Sequence, residues 1–269
     1  MANLIMYGCG HMGFPIAKAI LDGHGNGASP LIIVEADREK ADMLRRTLTC
    51  DVVASCQPAP DDVLILAVKP IDTRPLANAI NHGMGLGNLI ISVMAGVTTV
   101  ELSECFRTKQ VIRTIPNTPC LIGQGITVFC RTPEVTGAHH AYTLRLLGCL
   151  GQVVEVPEEA MIDKATGISG SGPAYVFYLA EALRDCAVGM GFSRSDAWSL
   201  ATETVAGAGA LLRARQEDPT TLRLEVMTPK GTTAAAIDHL EQHHVGRIMQ
   251  EAFQASWQRA ASLGANPTG

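Results

Sequence analysis

The sequence is poor in charged and aromatic residues, at 17% and 4% of its 269 positions, and its net charge is −5. Its basic residues are scattered rather than clustered, so we expect no nucleic-acid partner. No uninterrupted apolar run reaches the roughly 18 residues that span a bilayer, so we expect no membrane association. The eight cysteines form no C-x-x-C pair and no metal-ligand spacing, which predicts free thiols in a cytoplasmic protein without a metal site.

The sequence has instead a high apolar content, 47%, arranged in two different patterns. Up to about residue 156, short apolar runs alternate with helical stretches, which is typical of a doubly wound, mainly parallel Rossmann-like α/β sheet. After Pro157 the strand pattern stops and only helical segments follow. We therefore predict an α/β domain over residues 1–156 and an all-α domain over residues 157–269.

Seven apolar runs of the first part are candidate strands: residues 4–7, 31–34, 63–68, 89–94, 111–115, 126–130 and 153–156. Six helices are predicted after the boundary: residues 158–166, 173–190, 194–214, 219–227, 231–242 and 245–263. These helices are rich in Ala and Gly, and they carry more apolar surface than a domain of about 110 residues can enclose. We expect a homodimer, and a larger assembly of dimers stays open.

The first predicted strand runs directly into a glycine-rich turn, Gly8-Cys9-Gly10-His11-Met12-Gly13, and a helix follows. In a G-x-G-x-x-G turn the first glycine makes the bend, the second admits a pyrophosphate and the third allows close packing of helix on strand. The N–H groups at the start of the helix then face the anion. We predict that these six residues bind a dinucleotide, with a purely structural turn as the alternative.

An acidic residue, Glu35, ends the second predicted strand, about twenty residues beyond Gly13. A carboxylate there can accept hydrogen bonds from the adenosine ribose and repels a 2′-phosphate. Of the two candidate cofactors, NADH and NADPH, this favours NADH. Asp37 and Arg38 follow closely; Arg38 could bind a phosphate, and all three residues could instead belong to a solvated loop.

Five further motifs follow in order along the chain. Three belong to the first part: Ala67-Val68-Lys69-Pro70, Ser92-Val93-Met94-Ala95-Gly96-Val97 and Arg113-Thr114-Ile115-Pro116-Asn117-Thr118-Pro119. A pair lies in the helical part: Ser169-Gly170-Ser171-Gly172-Pro173-Ala174-Tyr175-Val176-Phe177 and Thr228-Pro229-Lys230-Gly231-Thr232-Thr233. Together with the glycine-rich turn they resemble the pyrroline-5-carboxylate reductase family across nearly the whole chain. The resemblance implies reduction of 1-pyrroline-5-carboxylate to L-proline, the last step of proline biosynthesis, with NADH or NADPH.

The first three of these motifs each follow a predicted strand, where open α/β sheets bind their ligands. We therefore predict that the cofactor also contacts Ala67, Val68, Lys69, Pro70, Met94, Ala95 and Asn117. Ordinary turn formation is the alternative for each motif alone. The resemblance implies that Lys69 mainly presents backbone to the cofactor, rather than acting as a general acid.

The pair of motifs in the helical part places small and hydroxylated residues before helices, where N–H groups and hydroxyls can bind a carboxylate. Helix capping is the alternative. We predict that the substrate contacts Ser169, Gly170, Ser171, Gly172, Pro173, Thr228, Gly231, Thr232 and Thr233, and that the Thr233 hydroxyl is catalytic, bonded to the ring nitrogen. The chain departs from the family pattern at Lys230, often glycine, and at Glu35-Ala36, often an Asn-Arg type pair.

Two other functions stay open at this point. A β-hydroxyacid-dehydrogenase-like oxidoreductase has the same two-domain build and generally needs a lysine on the helix after the boundary. Lys164 lies close to that place. The other is a non-catalytic dinucleotide-binding sensor, which a turnover assay would separate from an enzyme.

Overall fold

The computed structural model describes residues 3–23 and 30–265. The chain divides into two compact units, the first with the described residues up to Ser171 and from Ala255 onwards, the second with residues 172–254. These limits follow from compactness, whereas the predicted limits follow from the type of secondary structure. The predicted domain limits therefore stay a prediction. In the described part of the chain, no helix is both long and apolar enough to cross a membrane.

The first unit is built on one sheet whose eight described strands have the order β3-β2-β1-β4-β5-β6-β7-β8. Six neighbouring pairs run parallel and β6–β7 runs antiparallel. The strands are β1 Leu4–Tyr7, β2 Leu31–Val34, β3 Asp51–Val53, β4 Val63–Leu66, β5 Leu89–Ser92, β6 Val111–Ile115, β7 Gly125–Arg131 and β8 Gly151–Glu155. The predicted doubly wound, mainly parallel fold is confirmed.

The sheet is covered on both faces, as the continuous apolar strands predict. Along β1, Leu4 and Met6 belong to one core cluster, while Ile5 and Tyr7 belong to another. All four side chains are buried. The described helices of this unit are α1 Gly13–Asp22, α2 Arg38–Thr47, α3 Thr73–Ile80, α4 Thr99–Phe106, α5 Gly137–Gly148 and α6 Ala160–Ala165.

Apart from shifts of one or two residues at the ends of β7 and β8, the predicted strands differ from the observed ones in two ways. β3 was not predicted, because its three residues, one of them the exposed Asp51, are too few to give a recognisable pattern. β4 and β5 end at Leu66 and Ser92, before the predicted ends Val68 and Met94. The chain leaves the sheet and turns after Leu66 and again after Ser92, which hydrophobic periodicity alone does not indicate.

The second unit is helical, as predicted, and comprises α7 Gly172–Gly189, α8 Arg194–Arg215, α9 Pro219–Val226, α10 Thr232–Gln242 and the part of α11 Val245–Ala265 up to Gln254. Its helices bury little: α7 buries only Ala187, and α8 only Ala197 and Ala201. Large apolar side chains are left exposed on both, among them Phe177 and Trp198. So large an apolar surface predicts association with another molecule.

Candidate active site

The glycine-rich turn after β1 has two glycines, Gly8 and Gly13, at which the surrounding backbone leaves no room for a Cβ. Gly8 has φ +84°, and a Cβ there would lie 2.8 Å from the Ala67 carbonyl oxygen. A Cβ on Gly13 would lie 2.6 Å from the Gly8 carbonyl oxygen. The turn is therefore bent and packed as a dinucleotide-binding turn requires.

Gly10, the second glycine, is not packed against the protein. The nearest atom to a Cβ placed on it is the Lys40 Nζ, at 4.0 Å. The start of α1 beyond it has no side-chain cap, since Met12 offers none. An open backbone before an uncapped helix start fits the pyrophosphate of a dinucleotide.

Cys9 lies inside this turn and is buried. Burial raises the pKa of the Cys9 thiol to about 12, and the Glu35 carboxylate adds to the shift. The thiol is therefore neutral at physiological pH and brings no negative charge to the proposed phosphate site. His11, next in the turn, is exposed.

Glu35 lies beside the glycine-rich turn, as predicted from its place at the end of β2. Its carboxylate accepts hydrogen bonds from the backbone N–H of Cys9 at 3.4 Å and of Asp37 at 3.2 Å. It also pairs with the Lys40 ammonium, Nζ to Oε2 3.3 Å. Asp37 is not a free loop residue, because its side chain caps α2 by accepting from the Lys40 N–H at 2.9 Å.

Sequence reasoning missed Lys40, and the only signal for it is indirect. An Asp before a helical stretch predicts an N-cap, and a cap at Asp37 places Lys40 in the first turn of α2. Only the fold brings that first turn back towards Glu35 and Gly10. Arg38, the residue that the sequence suggested as a phosphate ligand, begins α2 and is exposed.

The segments after β4 and β5 lie at the same edge of the sheet as the glycine-rich turn, because β1, β4 and β5 are neighbouring parallel strands. The Ala67 N–H donates to the Tyr7 carbonyl at 2.9 Å. Ala67 and Val68 both lie against Gly8. The structure thus brings these two predicted cofactor residues to the turn itself.

The remaining residues of these two segments differ in exposure. Lys69 and Pro70 are exposed, and the Lys69 carbonyl accepts from Asp72 in a short 3₁₀ turn, Pro70–Asp72. Met94 is buried in the core, where its sulfur accepts from the Thr73 hydroxyl at 3.7 Å. Its side chain therefore serves packing, and only backbone is available there for a ligand. Ala95 is half-buried.

Asn117, beyond the end of β6, is buried and its amide contacts the protein on both sides. Its Oδ1 accepts from the Ile126 N–H at 2.9 Å, and its Nδ2 donates to the Ser169 carbonyl at 3.1 Å. This amide therefore connects the motif after β6 to the serine-rich motif. A contact between the Asn117 backbone and the cofactor stays a prediction.

An ion-pair cluster forms around the buried Arg113 side chain on β6. The Arg113 guanidinium on β6 bonds Glu159 at 3.1 Å and Asp163 at 2.5 Å. Glu159 also accepts from the backbone N–H and the hydroxyl of Thr99, at 2.8 and 2.7 Å. The cluster fixes α4 and α6 against β6.

The serine-rich motif begins in a π-helical turn, Thr166–Gly170, which the sequence did not predict. The Ser169 hydroxyl donates to the Ala165 carbonyl at 3.1 Å. The Ser171 hydroxyl lies 2.9 Å from that of Ser256. Both hydroxyls thus have protein partners, and α7 begins directly afterwards, with Pro173 in its first turn.

The threonine motif, in the second unit, forms a tight turn before α10. The Gly231 N–H donates to the Thr228 carbonyl at 2.9 Å, and a Cβ on Gly231 would overlap the Thr228 hydroxyl. Lys230 adopts φ +61°, a left-handed conformation that explains why glycine suits this position. Lys230 therefore departs both from the family pattern and from the residue type that this backbone conformation favours.

No side chain caps the start of α10, where Gly231 is the N-cap. Thr233 is half-buried, and among the described residues its hydroxyl has no hydrogen-bond partner. The N-cap residue thus does not cap α10 with a side chain, as the structural alternative for this motif would require. The uncapped N–H groups can bind an anionic group of a ligand, and the accessible hydroxyl beside them can bond a polar atom of its ring.

Lys164, the residue on which the β-hydroxyacid alternative depends, lies on α6 and is exposed. Its ammonium lies 5.8 Å from the centroid of the Trp257 ring. This is a cation–π contact within the first unit. Such a contact gives Lys164 a structural role that needs no catalysis.

Comparison with known proteins gives matches along most of the chain. Residues 159–263 match the family model described as pyrroline-5-carboxylate reductase dimerisation, and residues 4–96 match the one described as NADP oxidoreductase, coenzyme F420-dependent. A pyrroline-5-carboxylate reductase of Synechocystis sp. is 36% identical over 237 residues, which are 87% of this chain and 88% of that protein. One of Mycobacterium leprae is 31% identical over 98% of this chain and 97% of that protein.

A solved structure shows the same likeness in three dimensions. The Plasmodium falciparum pyrroline carboxylate reductase, whose crystal structure has NADP bound, has a TM-score of 0.84 to this chain at 26% identity. The match covers 98% of both chains. The likeness thus extends over the sheet and the helices together.

Proposed function

The chain belongs to the pyrroline-5-carboxylate reductase family, and we propose that it reduces 1-pyrroline-5-carboxylate to L-proline, the last step of proline biosynthesis, with NADH or NADPH. The observation that carries this proposal is the glycine-rich turn with its open Gly10, in a chain that matches such reductases over nearly its whole length. The geometry of the turn fits a dinucleotide, and the substrate is inferred from the likeness to these reductases.

The cofactor is assigned to the first unit. The backbone from Gly8 to Gly13 and the start of α1 bind its pyrophosphate, and Glu35 accepts from the adenosine ribose. The segments Ala67–Pro70 and Met94–Ala95, with Asn117, present backbone towards the nicotinamide. Bound there, the dinucleotide supplies the hydride for the imine carbon.

NADH is the preferred dinucleotide in this proposal. The fixed Glu35 carboxylate favours free ribose hydroxyls over a 2′-phosphate. The neighbouring Lys40 ammonium reduces the repulsion, so the preference is modest. Both dinucleotides are therefore expected to support turnover.

The substrate carboxylate is assigned to the threonine motif, through Thr228 and the backbone of Gly231, Thr232 and Thr233. The Thr233 hydroxyl is assigned to the ring nitrogen. Its lack of a partner among the described residues supports this assignment. Ser169, Gly170, Ser171, Gly172 and Pro173 contribute further contacts, through their backbone where the serine hydroxyls are already bonded.

No ionisable acid is required in this mechanism, because the imine is basic enough to be partly protonated near neutral pH. Neither substrate motif contains His, Asp or Glu. The residues act by holding the carboxylate and orienting the imine carbon towards the hydride donor. Catalysis is then mainly proximity and orientation.

The working form is a homodimer in this proposal. Two observations support it: the exposed apolar side chains of α7 and α8, and the match of residues 159–263 to a dimerisation model. A second copy of the chain is the natural cover for such a surface. The location is the cytoplasm, a reducing compartment, in keeping with eight cysteines that are all free thiols.

A turnover assay tests the proposed function. Purified protein is mixed with 1-pyrroline-5-carboxylate and either NADH or NADPH, and both dinucleotide oxidation and proline formation are measured. Small β-hydroxy acids with NAD or NADP form the parallel arm for the dehydrogenase alternative. Proline formation supports the proposal; oxidation of a β-hydroxy acid alone, or dinucleotide binding with no turnover, would replace it with one of the alternatives.

A further inference from the structure

A lysine that the family motifs do not include, Lys40, lies at the dinucleotide turn. Its Nζ is 3.3 Å from the Glu35 Oε2 and 4.0 Å from the place of a Cβ on Gly10. Its side chain is 42% exposed, whereas that of Glu35 is 11% exposed. The cation is thus both close to the turn and open to a ligand.

The position of Lys40 is fixed by its helix. Asp37 caps α2 by accepting the Lys40 backbone N–H, which sets the first turn of the helix beside the end of β2. Glu35 is held independently by the N–H groups of Cys9 and Asp37. The ion pair therefore joins two groups that the backbone already places at the turn.

The ion pair of Lys40 and Glu35 changes the local charge at the proposed position of the ribose 2′ substituent. Glu35 alone presents a negative charge that repels a 2′-phosphate. An ammonium next to it offsets that charge, and with three N–H donors it can bond Glu35 and still donate to a phosphate. The other charged groups nearby are Asp37, Arg38 and Glu39, which are all exposed; the Asp37 carboxylate accepts from the Lys40 backbone N–H.

We propose that Lys40 is a specificity-determining residue, which contacts the 2′-phosphate of NADPH and limits the discrimination that Glu35 imposes. The inference rests on the proposed dinucleotide site and goes beyond it. It makes the chain a reductase with two usable cofactors, in which one residue favours NADH and its ion-pair partner keeps NADPH acceptable.

The test compares Lys40→Met with a matched control, Lys18→Met. Lys18 lies on α1, is 43% exposed and pairs with Asp22 at 2.8 Å, so its removal deletes an equivalent surface ion pair. Dissociation constants of NADH and NADPH are measured by isothermal titration calorimetry. Lys40→Met should weaken NADPH about tenfold, the loss expected for a charge-assisted bond, and NADH by less than about threefold.

Three further results decide the proposal. Lys40→Arg should retain NADPH binding, because it retains the charge. In a Glu35→Gln background, NADPH should bind more tightly than to the unmodified protein, and Lys40→Met should still weaken it. Equal effects of Lys40→Met on both dinucleotides, no effect on either, or the same selective loss in Lys18→Met would overturn the role of Lys40.

Failure of this inference is distinguishable from failure of the proposed function. An unmodified protein that binds neither dinucleotide overturns both. A protein that binds both and forms proline, but whose NADPH affinity is unaffected by Lys40→Met, overturns only the role of Lys40. Circular dichroism of each variant checks that the fold is retained.

Discussion

The Asn117 side-chain amide donates to the Ser169 carbonyl at 3.1 Å, although the two residues are 52 positions apart in the chain. Its oxygen accepts from Ile126 at the same time, so the amide is oriented by both contacts. Ser169 belongs to the motif that we assign to the substrate. Asn117 is therefore in a position to set the place of the Ser169 carbonyl.

Asn117→Ala removes both hydrogen bonds and leaves the Ile126 N–H and the Ser169 carbonyl, both of half-buried residues, without this partner. Stability should fall by about 1–3 kcal/mol in denaturant unfolding. KM for pyrroline-5-carboxylate should rise, because the Ser169 turn loses its support, while the Kd of NADH changes little. A variant that loses NADH affinity with an unchanged KM would instead give the side chain a direct role at the cofactor.

Gly10→Ala and Gly13→Ala separate binding from folding within one turn. A Cβ on Gly10 meets only the end of the Lys40 side chain, so Gly10→Ala should fold normally and lose about tenfold or more in dinucleotide affinity. A Cβ on Gly13 would overlap the Gly8 carbonyl, so Gly13→Ala should be destabilised by about 1–3 kcal/mol. Thermal unfolding and calorimetry on both variants check this; unchanged NADH binding in Gly10→Ala would place the pyrophosphate elsewhere.

Glu35→Asn removes the negative charge at the proposed ribose position. The ratio of kcat/KM with NADPH to that with NADH should rise, because the repulsion of the 2′-phosphate disappears. The unmodified enzyme should use NADH better. If it already prefers NADPH by about tenfold, which corresponds to about 1.4 kcal/mol, the assignment of Glu35 is wrong.

Thr233→Val keeps the branched shape of the side chain and removes only its hydroxyl. If the hydroxyl bonds the ring nitrogen, kcat should fall about two- to tenfold, the effect of one neutral hydrogen bond, with the melting temperature nearly unchanged. Thr220→Val, at the second residue of α9, is the control for a loss of capping: the Thr220 side chain bonds the Asp218 carboxylate at the N-cap, so its removal should lower the melting temperature and leave kcat unchanged. Lowered stability with intact turnover in Thr233→Val would assign the hydroxyl to the fold instead.

The apolar surface of α7 and α8 predicts a stable dimer. Multi-angle light scattering at micromolar concentration should give about twice the mass of one chain, because exposure of this surface in a monomer is unfavourable. An active monomer under those conditions would show that the surface needs no second copy.

The fold was predictable because its strands are continuous apolar runs separated by clear turns. β1, β2 and β6 have the predicted bounds, and the position of Glu35 followed from the ordinary spacing of a dinucleotide turn. The short β3 gave too weak a pattern to be found.

The site was predictable only where a motif is local. The roles of Gly8 and Gly13 follow from their neighbours in sequence, and the structure gives the physical reason in the Ala67 and Gly8 carbonyls. The contact of Asn117 with Ser169 depends on the folding of distant segments. The approach of Lys40 to Glu35 likewise depends on how α2 returns along the sheet, which no periodicity contains.

Transfer of deuterium from NADH that carries deuterium at both positions of its reactive carbon tests the central claim most directly. Proline formed from unlabelled pyrroline-5-carboxylate should carry one deuterium, on the ring carbon that is next to the nitrogen and does not bear the carboxylate, because hydride goes to the imine carbon. The label should be placed on one face only, since the substrate is held in one orientation. Proline without deuterium at that carbon, or no proline at all while NADH is bound, would contradict the account.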